Sequence, residues 1–260
     1  MSNADLLTME RQEHIVQMVN TRGRLTVAEI SEIFAVSEAT VRRDLATLAG
    51  QNLIRRVHGG AMKNSPVASR ETPILQRESE KNEIKQRIGR AAAKIINNGE
   101  TLLLVGGSTA MALARELNHH RDLTVVTDSL MIANEILRQG QHQLLLLGGV
   151  VDPEEHAVRG TITRTICAQL QVDRVITGAK AISLQRGLSA ETPEEAELVR
   201  SFISIGHHIM VLADATKFHQ SALVHIMNIE DIHTLVTELE AEPDVLERIR
   251  EKGVYVIAAP

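Results

Sequence analysis

The stretch from residue 23 to 62, GRLTVAEISEIFAVSEATVRRDLATLAGQNLIRRVHGGAM, limits what this chain can fold into more than any other. It holds two short apolar-periodic segments, a tight connection, and a basic hairpin closed by glycines. Val27, Ile30, Ile33 and Phe34 fall on the inner face of one helix. Ser37 is placed to cap the next, along which Val41, Leu45 and Leu48 repeat at i, i+4 and i+7 and bury one stripe. Glu38, Thr40, Arg42, Arg43 and Thr47 are left on the other side. Upstream, Leu7, Ile15, Met18 and Val19 are spaced for a further helix that Gly23 would stop, and residues 24–27 read as a short strand. Residues 53–62 read as two strands, with Arg55, Arg56 and His58 near a tip that Gly59-Gly60 lets bend tightly.

That order describes a winged helix-turn-helix. In such modules the early residues of the second helix reach base edges and phosphates, and arginine serves both. The expected DNA face is therefore Ser37, Glu38, Thr40, Arg42, Arg43 and Thr47, with Arg55, Arg56 and His58 on the wing. The pattern leaves open which of Arg42 and Arg43 reads bases, and also admits a three-helix module whose arginines are merely solvated. The net charge of −5 does not decide the matter. Residues 1–62 carry seven Lys/Arg and seven Asp/Glu, so the whole deficit sits in the remainder. An acidic body beside a local basic patch limits nonspecific binding to nucleic acid.

With 260 residues the chain has room for a second domain. It has no tryptophan, one tyrosine and three phenylalanines, so its cores are aliphatic and base-stacking platforms are disfavoured. Cys167 is the single cysteine, which rules out an internal disulfide and suits a reducing cytoplasm. The first residues lack the apolar core of a signal peptide, and no run approaches the ~20 apolar residues that span a bilayer. A cytoplasmic protein with no membrane partner is expected.

Residues 63–83 are polar, carry Pro66 and Pro73, and read as a linker between a domain at 1–62 and another at 84–260. In the latter, short aliphatic runs at 101–105, 123–127, 143–147, 174–177, 208–213, 234–237 and 254–258 are mostly separated by helix-like stretches. Continuous apolar strands alternating with helices imply a mainly parallel sheet covered on both faces. Ligands of such sheets bind at the carboxyl ends of the strands.

Small-residue turns fall at those ends. In VGGSTAMALAREL a strand closes at Val105, Gly106-Gly107 admits a close backbone approach, and Ser108-Thr109 opens a helix. A helix start offers free N–H groups and partial positive charge, which suits a phosphate or carboxylate. Neither the Walker spacing nor GxGxxG is present, so a small anion is favoured over a nucleotide. The same glycines also suit a plain tight turn with Ser108 as a cap. Thr127, Asp128 and Ser129 are candidates for sugar hydroxyls or for helix capping, and Gly148-Gly149 forms another such turn. Lys217 offers a positive charge to a phosphoryl group or lies at the surface. The pairs His119-His120 and His207-His208 and the single thiol lack metal-ligand spacing, so neither a metal nor a bound cofactor is expected. Glu154-Glu155-His156 reads as a solvated loop.

Both halves resemble one family, the DeoR-type bacterial repressors. The amino-terminal likeness rests on Val36-Ser37, Thr40 to Leu45, and Arg56-Val57-His58-Gly59-Gly60. The likeness of the larger part rests on Gly107-Ser108-Thr109, Thr127 to Leu130, Gly148-Gly149, Gly187-Leu188-Ser189, Glu195-Ala196, Ala213-Asp214 and Thr216-Lys217-Phe218. The resemblance implies a winged-helix domain joined to an α/β sensor with a fold like ribose-5-phosphate isomerase. It also implies a repressor of carbohydrate genes controlled by a phosphorylated sugar, identity open, held by residues that include Gly106, Thr109, Glu195 and Lys217. The chain departs from the family at Lys180, where an acid is common. That exchange predicts a pocket for a more anionic ligand or another pose, unless Lys180 points to solvent. Useful specificity on a double-stranded DNA operator needs two half-sites, so a homodimer or homotetramer assembled through the larger domain is expected. The alternative is a sugar-phosphate isomerase or deaminase carrying an appended DNA-binding domain. It would need a carboxylate base, for which only Glu191 and Glu195 are available, so no catalytic residue is assigned.

Overall fold

The computed structural model describes residues 3–22, 24–50, 53–57, 59–63, 72–218, 220–239 and 241–260. They belong to two compact units, 1–66 and 67–260.

The first unit runs α1 (Asn3–Arg22), β1 (Arg24–Thr26), α2 (Val27–Phe34), α3 (Glu38–Gly50), β2 (Ile54–Val57) and β3 (Gly60–Lys63). Its strands form an antiparallel sheet in the order β1-β3-β2. Ile15 and Val19 of α1 meet Leu25, Ile30, Val41, Leu45, Leu48 and Ile54 in one aliphatic core. A reciprocal cap starts α2: the Thr26 hydroxyl accepts the Glu29 N–H at 3.2 Å, and the Glu29 carboxylate accepts the Thr26 N–H at 2.7 Å. Ala35, at φ 51°, ends α2 and makes the tight connection. Ser37 caps α3 as expected, its hydroxyl accepting the Thr40 N–H at 3.2 Å. Ile33 departs from expectation and is 45% exposed. It lies roughly a quarter-turn off the stripe that Val27, Ile30 and Phe34 share. Gly23, expected to stop α1, lies outside the described residues.

The second unit begins with α4 (Ile74–Ser79) and α5 (Asn82–Ala93), then β4 (Thr101–Leu104), α6 (Ser108–Glu116), β5 (Thr124–Thr127), α7 (Leu130–Gln139) and β6 (Gln143–Leu146). It continues with β7 (Val150–Asp152), β8 (Ala157–Arg159), α8 (Thr161–Cys167), β9 (Val172–Gly178), β10 (Ala181–Ser183), β11 (Gly187–Ala190), α9 (Pro193–Ile203) and β12 (Gly206–Leu212). β13 (Val224–Met227), β14 (Thr234–Glu238), α10 (Pro243–Glu251) and β15 (Tyr255–Ala259) complete it. All seven aliphatic runs marked in the sequence become strands of one sheet, ordered β15-β14-β12-β9-β4-β5-β6, with every pairing parallel. α5, α6 and α7 bury one face and α8, α9 and α10 the other, each over its own aliphatic cluster. The hairpin β7–β8 and the small antiparallel sheet β10-β11-β13 had not been expected as strands.

Residues 72–83, expected to be linker, are instead part of the larger unit. Ile74 is buried, its N–H donates to the Glu154 carbonyl at 3.0 Å, and Arg77 pairs with Glu155. The charges of this segment meet partners in the larger unit, so Glu155 is not a solvated loop residue. Among the described residues no helix is long and apolar enough to cross a membrane.

α5 and α6 cross at Gly89, where an added Cβ would sit 2.8 Å from the backbone of Ala112 and Leu113. Backbone cannot swing aside as a side chain can. Gly89→Leu is therefore expected to force the helices apart and lower stability by about 1–3 kcal/mol. Urea unfolding checks this, and an unchanged midpoint would contradict the close crossing.

Candidate functional site

On the first unit, α3 presents an exposed face of Glu38, Arg42, Arg43 and Thr47, as the periodicity predicted. Several of these groups also have local partners. Arg42 donates to Glu38 at 2.8 Å, the hydroxyls of Ser37 and Thr40 share a hydrogen bond at 2.9 Å, and Thr47 donates to the Arg43 carbonyl. Asp44 points the other way. It is 3% exposed and accepts from Arg11 at 2.7 Å and Gln12 at 2.9 Å, pinning α1 to α3. The acid beside the arginines thus holds the helix that displays them. Arg55 and Arg56 lie on β2, paired in register with Met62 and Ala61. The Val27 N–H binds the Gly59 carbonyl at 2.8 Å, tying the turn to the start of α2. His58 lies outside the described residues.

On the second unit, the strand order reverses between β4 and β9: the chain proceeds from β4 through β5 to β6 on one side, and from β9 toward β15 on the other. Such a reversal leaves a crevice at the carboxyl ends of the two strands. Gly106 and Gly107 follow β4 there and lead into α6, whose first turn contains Ser108 and Thr109, both nearly buried. The first amides of α6 have no intrahelical acceptor. No atom lies within 4 Å of the point where a Cβ on Gly107 would stand, so space opens in front of them. Gly106 faces inward, its N–H donating to the Asp128 carboxylate at 2.7 Å.

The residues after β5 are mostly committed to building this floor. The Thr127 hydroxyl, fully buried, donates to the Leu104 carbonyl at 2.7 Å and accepts the Ser129 N–H at 3.1 Å. Ser129 caps α7 through the Ile132 N–H. Gly148 and Gly149 are likewise packing positions. The Gly148 carbonyl accepts from the buried Thr163 hydroxyl at 2.8 Å, and a Cβ on Gly149 would collide with that hydroxyl and lie 2.7 Å from the Arg159 carbonyl. The structure therefore gives Thr127, Ser129, Gly148 and Gly149 internal partners within the rim. Asp128 is 4% exposed. Arg159 lies nearby, at ion-pair distance from Asp152 but out of hydrogen-bonding geometry.

At the end of β12, Lys217 closes a short turn that Asp214 caps by accepting the Thr216 N–H at 3.0 Å. Two lysines that sequence reasoning missed join them. Lys81 reaches Asp214 at 3.3 Å, and the buried Lys85 donates to the carbonyls of Arg77 and Glu80, closing the end of α4. Burial alone would raise the Asp214 pKa, but the Thr216 hydrogen bonds and the charges of Lys81 and Lys217 hold it below the usual carboxylate range. Burial lowers the pKa of Lys85, against the pull of Asp214. The only sequence signal for these lysines was their spacing of four at a helix start.

Lys180 does not point into solvent. Its ammonium stands 3.5 Å from Glu191 and 3.4 Å from Glu195, and each of the three side chains is less than a fifth exposed. Glu195 also accepts the Glu191 N–H at 3.3 Å in the first turn of α9. Among the described residues no group of three His, Cys, Asp or Glu side chains is arranged to hold a metal ion.

Two family models match the chain. The model described as a DeoR-like helix-turn-helix domain covers residues 11–67, and that described as a DeoR C terminal sensor domain covers 80–239. The glycerol-3-phosphate regulon repressor of Escherichia coli K12 is 32% identical over 95% of this chain and 97% of its own length. The transcriptional repressor AccR of Agrobacterium fabrum is 32% identical over 94% and 95%. Among solved structures, ribose 5-phosphate isomerase A of Methanocaldococcus jannaschii aligns over 53% of this chain and 54% of its own, at 16% identity and a TM-score of 0.39.

Burial pushes the Asp128 carboxyl up to about 6, outweighing the Gly106 N–H and the charge of Arg159. Its folded value thus exceeds the ordinary 3.8, so the native state holds an extra proton between the two. Stability from this residue is full below about pH 4 and declines as pH rises through about 6. Asp128→Asn keeps an acceptor for Gly106 and loses the titration. Relative to wild type it should gain about 2–3 kcal/mol between pH 4 and 7, measured from urea midpoints. A difference constant with pH would refute this.

Proposed function

This chain belongs to the DeoR family of transcriptional regulators, and from that premise we propose that it represses genes of carbohydrate use under the control of a small phosphorylated sugar. The DNA-binding unit reads its operator with α3, through Arg42 and Arg43, and steadies itself on phosphates with the wing arginines Arg55 and Arg56. The observation that carries the sensing half is the open start of α6 at the strand-order reversal, on the same rim as three lysines gathered round Asp214. Helix-start amides and lysine ammonium groups are what a phosphoryl group needs. Gly107, Ser108 and Thr109 cradle it, and Lys81 and Lys217 supply the counter-charge. A relative named for the glycerol-3-phosphate regulon supports a small phosphorylated effector. The enzyme alternative finds no support among relatives named as repressors. The effector is reversibly bound, with no cofactor, and the working species is a homodimer or larger.

Arg43→Ala should weaken binding to duplexes from upstream of its own gene by about 1–3 kcal/mol if a base contact is lost. Titration at several salt concentrations checks this, and undiminished affinity would remove α3 from the interface. A second variant tests the cradle. Gly107 has an extended backbone, φ 161° and ψ 153°, that any residue adopts. Gly107→Val should therefore fold normally, fill the open space, and abolish the thermal shift that pentose or hexose phosphates give the wild type. Retention of that shift would place the effector elsewhere.

A further inference from the structure

β6 ends the seven-stranded sheet, and no strand among the described residues pairs with its outer edge. An open edge presents a row of unpaired N–H and C=O groups, which monomeric proteins usually guard with charge, proline or a covering segment. None of the charged guards is here: residues 139–151, QGQHQLLLLGGVV, contain no Lys, Arg, Asp or Glu.

The side chains compound the exposure. Leu144 packs into the cluster under α5, α6 and α7, whereas Leu147 joins the cluster under α8, α9 and α10. Strand alternation therefore puts Leu146 on the first face and Leu145 on the second. They are 43% and 36% exposed. Apolar surface thus emerges on both faces of one edge. Beside it, Leu137 on α7, Ile162 on α8, and Val150 and Val151 on β7 are 67%, 60%, 72% and 49% exposed. A helix laid in a groove covers one face. Another sheet edge, flanked by its own helices, covers both.

We propose that this edge is the interface through which two copies of the chain associate, β6 against β6, antiparallel about a two-fold axis. A two-fold contact uses the same patch on each copy, so an uncharged strand meets an uncharged strand without like-charge repulsion. The strand itself offers a charged partner no counter-charge. A stable dimer buries about 800 Å² per partner, and the exposed residues of α7, α8 and β7 extend the apolar surface beyond the strand itself. The proposal deepens the reading of the chain as a regulator that needs two DNA-binding units.

The test uses the full chain at micromolar concentration. Light scattering should give wild type a mass of two chains or more. Leu145→Lys with Leu146→Lys should halve that mass while circular dichroism stays native. As an independent measure, single cysteines are placed in turn at positions 143–146 of the otherwise wild-type chain. Two-fold pairing requires that at least one cross-links to its own copy under mild oxidant. A monomeric wild type, an unchanged mass in the lysine variant that stays folded, or failure of all four cysteines to link would overturn the proposal. If the lysine variant stays assembled while wild type binds its operator, the surface is wrong and the regulator reading stands. If assembly breaks as expected but wild type binds no operator, the surface stands and the regulator reading falls.

Discussion

All seven strands of the large sheet point the same way, and that one constraint fixes where chemistry can happen. A parallel strand must be followed by a crossover before the next can start, so every connection that leaves a carboxyl end opens onto a single rim. The glycines after β4, Asp128 after β5, Lys180 after β9 and Asp214–Lys217 after β12 are far apart in sequence and gathered there by topology alone. Rim loops must also fill the space they share. The Gly106 N–H to Asp128 carboxylate bond and the Thr127 hydroxyl to Leu104 carbonyl bond join the connections after β4 and β5. The turn at Gly107 has open space in front of it.

The same logic of committed partners runs through the polar residues of both units. Asp44 binds Arg11 and Gln12, Lys85 binds two carbonyls, and Glu238 accepts the Ala215 N–H and the Thr237 hydroxyl. A buried ionised group without such partners is far costlier than an exposed one. These contacts therefore act as joints between elements. Asp44 orients the helix that carries Arg42 and Arg43, although its own side chain faces inward.

What was legible in sequence follows from how much local signal each element carries. Most sheet strands are aliphatic runs buried on both faces, and the exposed edge strand β6 is an aliphatic run too, so their positions showed clearly, and α3 showed through Val41, Leu45 and Leu48. The hairpin β7–β8 and the strands β10, β11 and β13 are three or four residues each, too short for a period to appear. α4 was hidden by its composition, because its single buried anchor, Ile74, stands among charges whose partners lie tens of residues away. Thr127, Ser129, Gly148 and Gly149 stand out in the sequence, and in the structure each has a packing or capping contact. Small and hydroxyl residues at a strand end look alike whether they face a ligand or the neighbouring turn.

Lys180 shows what single-position arithmetic leaves out. Replacing an acid by a lysine changes the local charge by two units, which predicts a more anion-hungry pocket. That prediction treats the position as isolated. Lys180 in fact lies within 3.5 Å of Glu191 and Glu195, and a third acid at position 180 would set three carboxylates against one another in a largely buried site. The lysine leaves this group with one negative charge in place of three. Glu195 keeps its place at the start of α9, where the helix dipole and the Glu191 N–H favour a carboxylate. The positive charge at 180 is therefore set against two carboxylates of its own chain, which a count of one position alone leaves out.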